Sequence, residues 1–116
     1  MIKSYQAAAD IAAYRFVKFT EGGITQAAAG TDNIIGVSEE LKTTAGYATD
    51  VYIAGSFAEI EAGGAFSTGE ALTSDADGKA VKATASDNIG AIALMDANAE
   101  GDIVQVAVQL QRVFAE

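Results

Sequence analysis

From Asp102 to Phe114 apolar residues fall on every second position. Val104, Val106, Val108 and Leu110 share one parity, and Gln105, Gln109 and Gln111 share the other. Side chains alternate across a strand with period two, so this run predicts a β-strand with one buried and one wet face. That reading outweighs composition, because 25 of the 116 residues are Ala and Ala by itself favours helix. Two places invite a helix, the Ala-rich run Ser4 to Ala13 and the short Ser38 to Lys42. Neither is long enough to be stable without packing.

Seven further runs read as strands: Tyr14 to Thr20, Ile24 to Ala28, Ile34 to Val37, Asp50 to Ala54, Ser56 to Glu61, Lys79 to Thr84 and Ile89 to Leu94. They are short and punctuated by Gly, Asp, Asn, Ser and Thr, the pattern of an all-β sandwich or barrel. The chain has no Pro, so its turns depend on Gly and Asx chemistry. Glu21-Gly22-Gly23 and Asp77-Gly78 carry the clearest hairpin signals. A chain of 116 residues is sized for one domain.

The sequence also resembles itself. Gly22-Gly23 followed by a polar strand and Asp32-Asn33-Ile34 matches Asp77-Gly78 followed by a polar strand and Asp87-Asn88-Ile89. Gly46 and Gly101 keep the same offset, and each precedes a β-patterned run. Matching order over all these features predicts a duplication, with pseudo-repeats at about 18–60 and 72–114 and Glu61 to Leu72 as the connection.

Charge and missing residue types narrow the function. Lys plus Arg is 7 and Asp plus Glu is 16, a net charge of −9 that repels phosphate and excludes nucleic-acid binding. No His and no Cys means no imidazole base, no thiolate nucleophile and no zinc or haem ligand set, so any catalysis would have to rest on carboxylates, hydroxyls or a lysine, and no cofactor is expected. No stretch approaches the roughly 20 apolar residues of a membrane span, and no signal peptide is visible. The chain reads as soluble, with no membrane partner.

Individual motifs read blandly. Asp75-Ala76-Asp77-Gly78 opens like a calcium loop, but Lys79 and Ser86 stand where an EF-hand needs oxygen ligands, so a plain turn and no metal is expected. Lys79 beside a hairpin resembles the display of a carrier-domain lysine, yet Gly78 precedes it where those domains place an acidic residue or Met. From Thr43 to Gly78 there is no Lys or Arg, while Asp50, Glu59, Glu61, Glu70, Asp75 and Asp77 lie there, which predicts an acidic face. The apolar content leans on small Ala, so the core buries little area and the chain is expected to rely on oligomerisation or a larger partner.

Residues 1–10 show no β alternation. They read either as a frayed terminus or as an arm that orders on a partner, with Ile2 and Tyr5 as apolar anchors. The remainder, 11–116, reads as the single β-domain.

Taken in order, Ala9-Asp10-Ile11, Tyr14-Arg15-Phe16-Val17-Lys18, Ile34-Ile35-Gly36-Val37 and Glu61-Ala62-Gly63-Gly64-Ala65 form a recognisable series. It continues through Gly69 to Val81 and closes on Gly101-Asp102-Ile103-Val104-Gln105-Val106. With these motifs the chain resembles the capsid cement (head decoration) proteins of tailed bacteriophages from about Ala9 to Val108. The resemblance implies a small β-tulip-like sandwich or barrel without enzymatic role. It implies a virion protein on the outer capsid surface that binds the major capsid protein, usually as a homotrimer, and clamps neighbouring subunits against DNA pressure. An N-terminal arm of that family touches the shell, which places Met1, Ile2, Lys3, Ser4, Tyr5 and Gln6 as capsid contacts here. A different reading stays open: a phage fibre or spike adhesion module binding host surface glycans, for which only Tyr5, Tyr14, Tyr47 and Tyr52 offer an aromatic cluster.

Overall fold

Alternating strands and Gly turns build two sheets of the same plan. A computed structural model describes residues 1–111, so residues 112–114 of the expected last strand and second repeat lie outside the described residues. In chain order the strands are β1 (Ile2–Gln6), β2 (Phe16–Thr20), β3 (Gly23–Gln26), β4 (Ile34–Ser38), β5 (Ala48–Tyr52), β6 (Phe57–Glu61), β7 (Ala71–Ser74), β8 (Ala80–Lys82), β9 (Ile89–Ala93) and β10 (Ile103–Gln111). There is no helix among the described residues. One antiparallel sheet has the order β1-β5-β4-β2-β3 and the other β6-β10-β9-β7-β8. The fold is an all-β, two-sheet arrangement of the sandwich kind.

The second order is the first with every strand number raised by five. Ile2 corresponds to Phe57, Phe16 to Ala71, Ile34 to Ile89 and Ala48 to Ile103, all at the spacing of 55 that separates Asn33 from Asn88. The closing contacts repeat as well. The Ala7 amide donates to Tyr47 and the Ala62 amide to Asp102, while Gly46 donates to Ala7 and Gly101 to Ala62. A parallel bridge from Ala7 to Ile24 ties the end of β1 towards β3, the opposite edge, and Ala62 to Ala80 does the same in the second unit. Each sheet therefore curls towards closure around its own core.

Those cores are built from corresponding positions. Ala7, Ile11, Val17, Ile24 and Val51 are buried together in the first unit. Ala62, Phe66, Leu72, Ala80 and Val106 occupy the matching places in the second, joined there by Phe16, Ile34 and Val37 from the first unit. The seam between units thus continues the second core. Phe16 sits in it because its amide donates to the Gly78 carbonyl at 2.8 Å and Gly90 leaves room for its ring. Gly78 has φ +79, a left-handed conformation that glycine adopts at no steric cost, which ends the expected hairpin between β7 and β8.

Four sequence expectations are corrected. Residues 2–6 are not an arm without a partner in this chain: they pair antiparallel with β5, from Ile2 opposite Tyr52 to Gln6 opposite Ala48. β1 carries no sequence signal because it is an edge strand exposed almost throughout, and so needs no apolar alternation. The repeating units are accordingly β1–β5 and β6–β10, which moves the expected repeat starts back to take in β1 and β6. Within the expected connection Glu61 to Leu72, strand β7 begins at Ala71, its buried Thr73 and Ser74 hiding the apolar signal. Finally Leu110 does not join Val104, Val106 and Val108 inside; it is 41% exposed. The register shifts between Val108 and Gln111, and one displaced residue turns every later side chain to the other face.

Candidate interaction surface

β1 sets the character of one edge. The Ile53 amide donates to the Met1 carbonyl and the Ala7 amide to the Tyr47 carbonyl. With that register the ladder alternates so that Lys3 and Tyr5 bond to β5 while the backbone groups of Ile2 and Ser4 face away from it. The amino terminus is held in place by the Ser56 hydroxyl. Met1 is 70% exposed and Ile2 55%, although β5 supports their backbone. Tyr5 is half-buried, its ring edge-on to Phe19 at 5.3 Å between centroids. Of the six expected contact residues, then, Ile2, Lys3, Ser4 and Gln6 are exposed on one edge strand, Met1 is exposed just before it, and Tyr5 is half-buried on it.

Phe57, the counterpart of Ile2, is exposed too, at 73%. It shares its parity on β6 with Glu59 and Glu61, whereas Ala58 and Ile60 point into the core. An aromatic residue on the polar side of an alternating strand was the available sequence signal for this position. Phe57 lines a cleft of about 570 Å3 at the seam, with Tyr14, Tyr52, Glu40, Glu59 and Gln105 among its walls. Tyr14 has φ +62, an uncommon conformation for a residue with a side chain. It is held there from both units: its amide donates to the Glu39 carbonyl and its carbonyl accepts from the Glu61 amide.

Around Glu61 the charges at the seam are paired. Arg15 reaches Glu61 at 2.8 Å, and Lys79 reaches Glu61 at 3.3 Å and Glu100 at 3.2 Å. Desolvation pushes the Glu61 carboxyl up, but hydrogen bonds from Arg15 and Lys79 and their charges outweigh it and leave the group below its ordinary pKa. Hydrogen bonds to Glu100 and Glu61 raise Lys79. Of the expected acidic face, Glu61 is paired in this way and Glu70 meets Lys82 at 3.0 Å, whereas Asp50, Glu59, Asp75 and Asp77 meet no Lys or Arg among the described residues. Lys79, engaged with two carboxylates, is not displayed as a carrier lysine would be. The Asp75 carboxylate accepts from the amides of Asp77 and Lys79, which makes the calcium-like string an Asx turn. Of the four tyrosines, Tyr14 and Tyr52 line the seam cleft together.

The N base of head fiber gp8.5 in bacteriophage phi29, a crystal structure, is similar with a TM-score of 0.72 and 23% sequence identity, over 97% of each chain. That likeness is one of architecture. No curated protein sequence matches. A family model described as phage cement protein matches residues 2–110. With nearly every residue from β1 to β10 inside that match, the chain belongs to the phage cement protein family and is a structural protein of the phage head.

Proposed function

We propose that the protein sits on the outer surface of the head and clamps neighbouring subunits of the major capsid protein, holding the expanded shell against DNA pressure. The observation that carries this reading is the exposed edge of β1, where Met1 and Ile2 offer apolar side chains beside backbone groups of Ile2 and Ser4 that face away from β5. An edge strand with an apolar rim is a template for pairing with an extended segment of another chain. The capsid contacts Met1, Ile2, Lys3, Ser4, Tyr5 and Gln6 are in this reading an edge strand that arrives already folded. Little ordering entropy opposes binding, in contrast to a free arm.

The proposed assembly is a homotrimer. Tripling a charge of −9 disfavours any axis lined by carboxylates, so the contact is assigned to apolar and Gln-bearing strand faces such as the exposed side of β10. Each footprint on the shell need contribute only modestly, because three linked contacts act with high effective concentration.

The test is add-back to heads stripped of the protein. Wild-type protein raises the temperature of DNA release, and the Ile2→Asp variant, folded by its spectrum, binds weakly and raises it less. Equal release temperatures for stripped and decorated heads would remove the clamping reading.

A further inference from the structure

The seam cleft contains polar groups that the fold does not use. Glu40, Glu59, Gln105 and the hydroxyls of Tyr14 and Tyr52 line it, and none of these side-chain groups makes a hydrogen bond or ion pair among the described residues. Their neighbours behave otherwise. Glu39 accepts from the Asp50 amide at 2.8 Å and the Thr49 hydroxyl at 3.2 Å, and Glu61 is held by Arg15 and Lys79. No Lys or Arg is among the cleft's lining residues. The cleft thus combines the rings of Tyr14, Tyr52 and Phe57 with two uncompensated carboxylates.

We propose that this cleft receives a basic side chain, the guanidinium of Arg or the ammonium of Lys, presented by an exposed segment of a protein partner. This rests on the reading that the protein docks on the capsid shell. Aromatic faces attract cations through the ring quadrupole, and a guanidinium stacks on a ring while its N–H groups reach carboxylates. Two carboxylates in a partly enclosed site make a cation the complementary occupant. A phosphate or an acidic peptide meets repulsion there, and a neutral sugar covers the rings without compensating either charge. The net charge of −9 draws cations towards the whole molecule. The mouth is also set in advance, because Tyr14 is fixed by hydrogen bonds to both units.

The experiment titrates the isotope-labelled protein with N-acetyl-arginine amide, followed by amide chemical shifts. Saturable shifts confined to residues around Tyr14, Tyr52, Phe57 and Gln105 are expected. N-acetyl-citrulline amide, of the same shape without the charge, binds at least about tenfold more weakly. The Glu40→Gln/Glu59→Gln double variant, altered only at exposed positions, brings the arginine derivative down to the citrulline level. Equal binding of the two probes, or cleft shifts with glucose and none with the arginine derivative, would overturn the proposal. Add-back to stripped heads separates the two readings. Undiminished head binding by the double variant removes the basic occupant and leaves docking intact. Arginine binding in the cleft by a protein that never decorates heads removes docking alone.

Discussion

The side-chain amide nitrogen of Asn88 stands 3.4 Å from the side-chain oxygen of Asn33, its own counterpart 55 residues earlier. The same nitrogen donates to the carbonyls of Thr31 at 3.1 Å and Asp32 at 2.9 Å, and the Asn88 backbone amide donates to Gly30 at 2.7 Å. One copy of the Asp-Asn-Ile string therefore binds the other. The motif that reveals the duplication in the sequence is also part of the joint between its halves.

Replacing Asn88 tests that joint. Asn88→Ala removes the side-chain donor from the Thr31 and Asp32 carbonyls and is expected to lower unfolding free energy by about 1–3 kcal/mol. Asn88→Asp keeps the shape but sets an acceptor against two carbonyl oxygens, so it loses at least as much. Urea unfolding of the three proteins decides this, and an Asp variant as stable as wild type would contradict the assigned donor role.

The legibility of this fold varied with how far each strand depends on apolar residues. β10, with Val104, Val106 and Val108 inside, could be read from alternation, and β4 and β9 stood out through the shared Asn-Ile junction. β1 and β7 could not. Edge exposure frees β1 from apolar patterning, and β7 buries Thr73 and Ser74, which look like turn residues in a sequence. The cleft at the seam has no signature in the sequence. Its walls come from positions as distant as Tyr14, Glu40, Phe57 and Gln105, which only the packing of the two units brings together.

Phe16 and Gly90 form a size-matched pair across the seam. A Cβ on Gly90 would lie 2.7 Å from the Phe16 ring and 3.0 Å from Ile34. Gly90→Ala is expected to cost about 1–3 kcal/mol through overpacking, and Phe16→Ala about 3–5 kcal/mol through the cavity it leaves. The double variant costs less than the two together, because the new methyl occupies part of the vacated space. Strict additivity in denaturant unfolding would show that the two sites do not meet.

Acid should weaken the seam. Although desolvation opposes it, Glu61 ends below its ordinary 4.5 because of Arg15 and Lys79. Likewise Asp32 ends below 3.8 through the Ala28 amide and Lys18. A carboxyl with a depressed folded pKa contributes stability above its unfolded value, and that contribution is lost as pH falls through the folded one. Stability is thus expected to be level above about pH 5 and to decline beneath the ordinary carboxyl range. Glu61→Gln should be less stable near neutrality and show a shallower acid decline, converging on wild type at low pH. Parallel curves for the two proteins in urea midpoints against pH would exclude Glu61 as a source of the acid limb.

Hydrogen exchange distinguishes an edge strand from a free arm residue by residue. If residues 2–6 were unpaired, all their amides would exchange at once. Paired with β5 in the observed register, the amides of Lys3 and Tyr5 point into the ladder and those of Ile2 and Ser4 point out. The expected result for the free protein is an alternation, slow at Lys3, Tyr5 and Ala7 and fast at Ile2 and Ser4. The Ile53 amide, which donates to the Met1 carbonyl, should also be slow. On decorated heads the proposed strand pairing adds protection at Ile2 and Ser4 while leaving Lys3 and Tyr5 as they were. Fast exchange at all of residues 2–6 in free protein would refute the strand. Decoration without new protection at Ile2 and Ser4 would place the capsid contact on side chains, or on another face, and not on the backbone edge of β1.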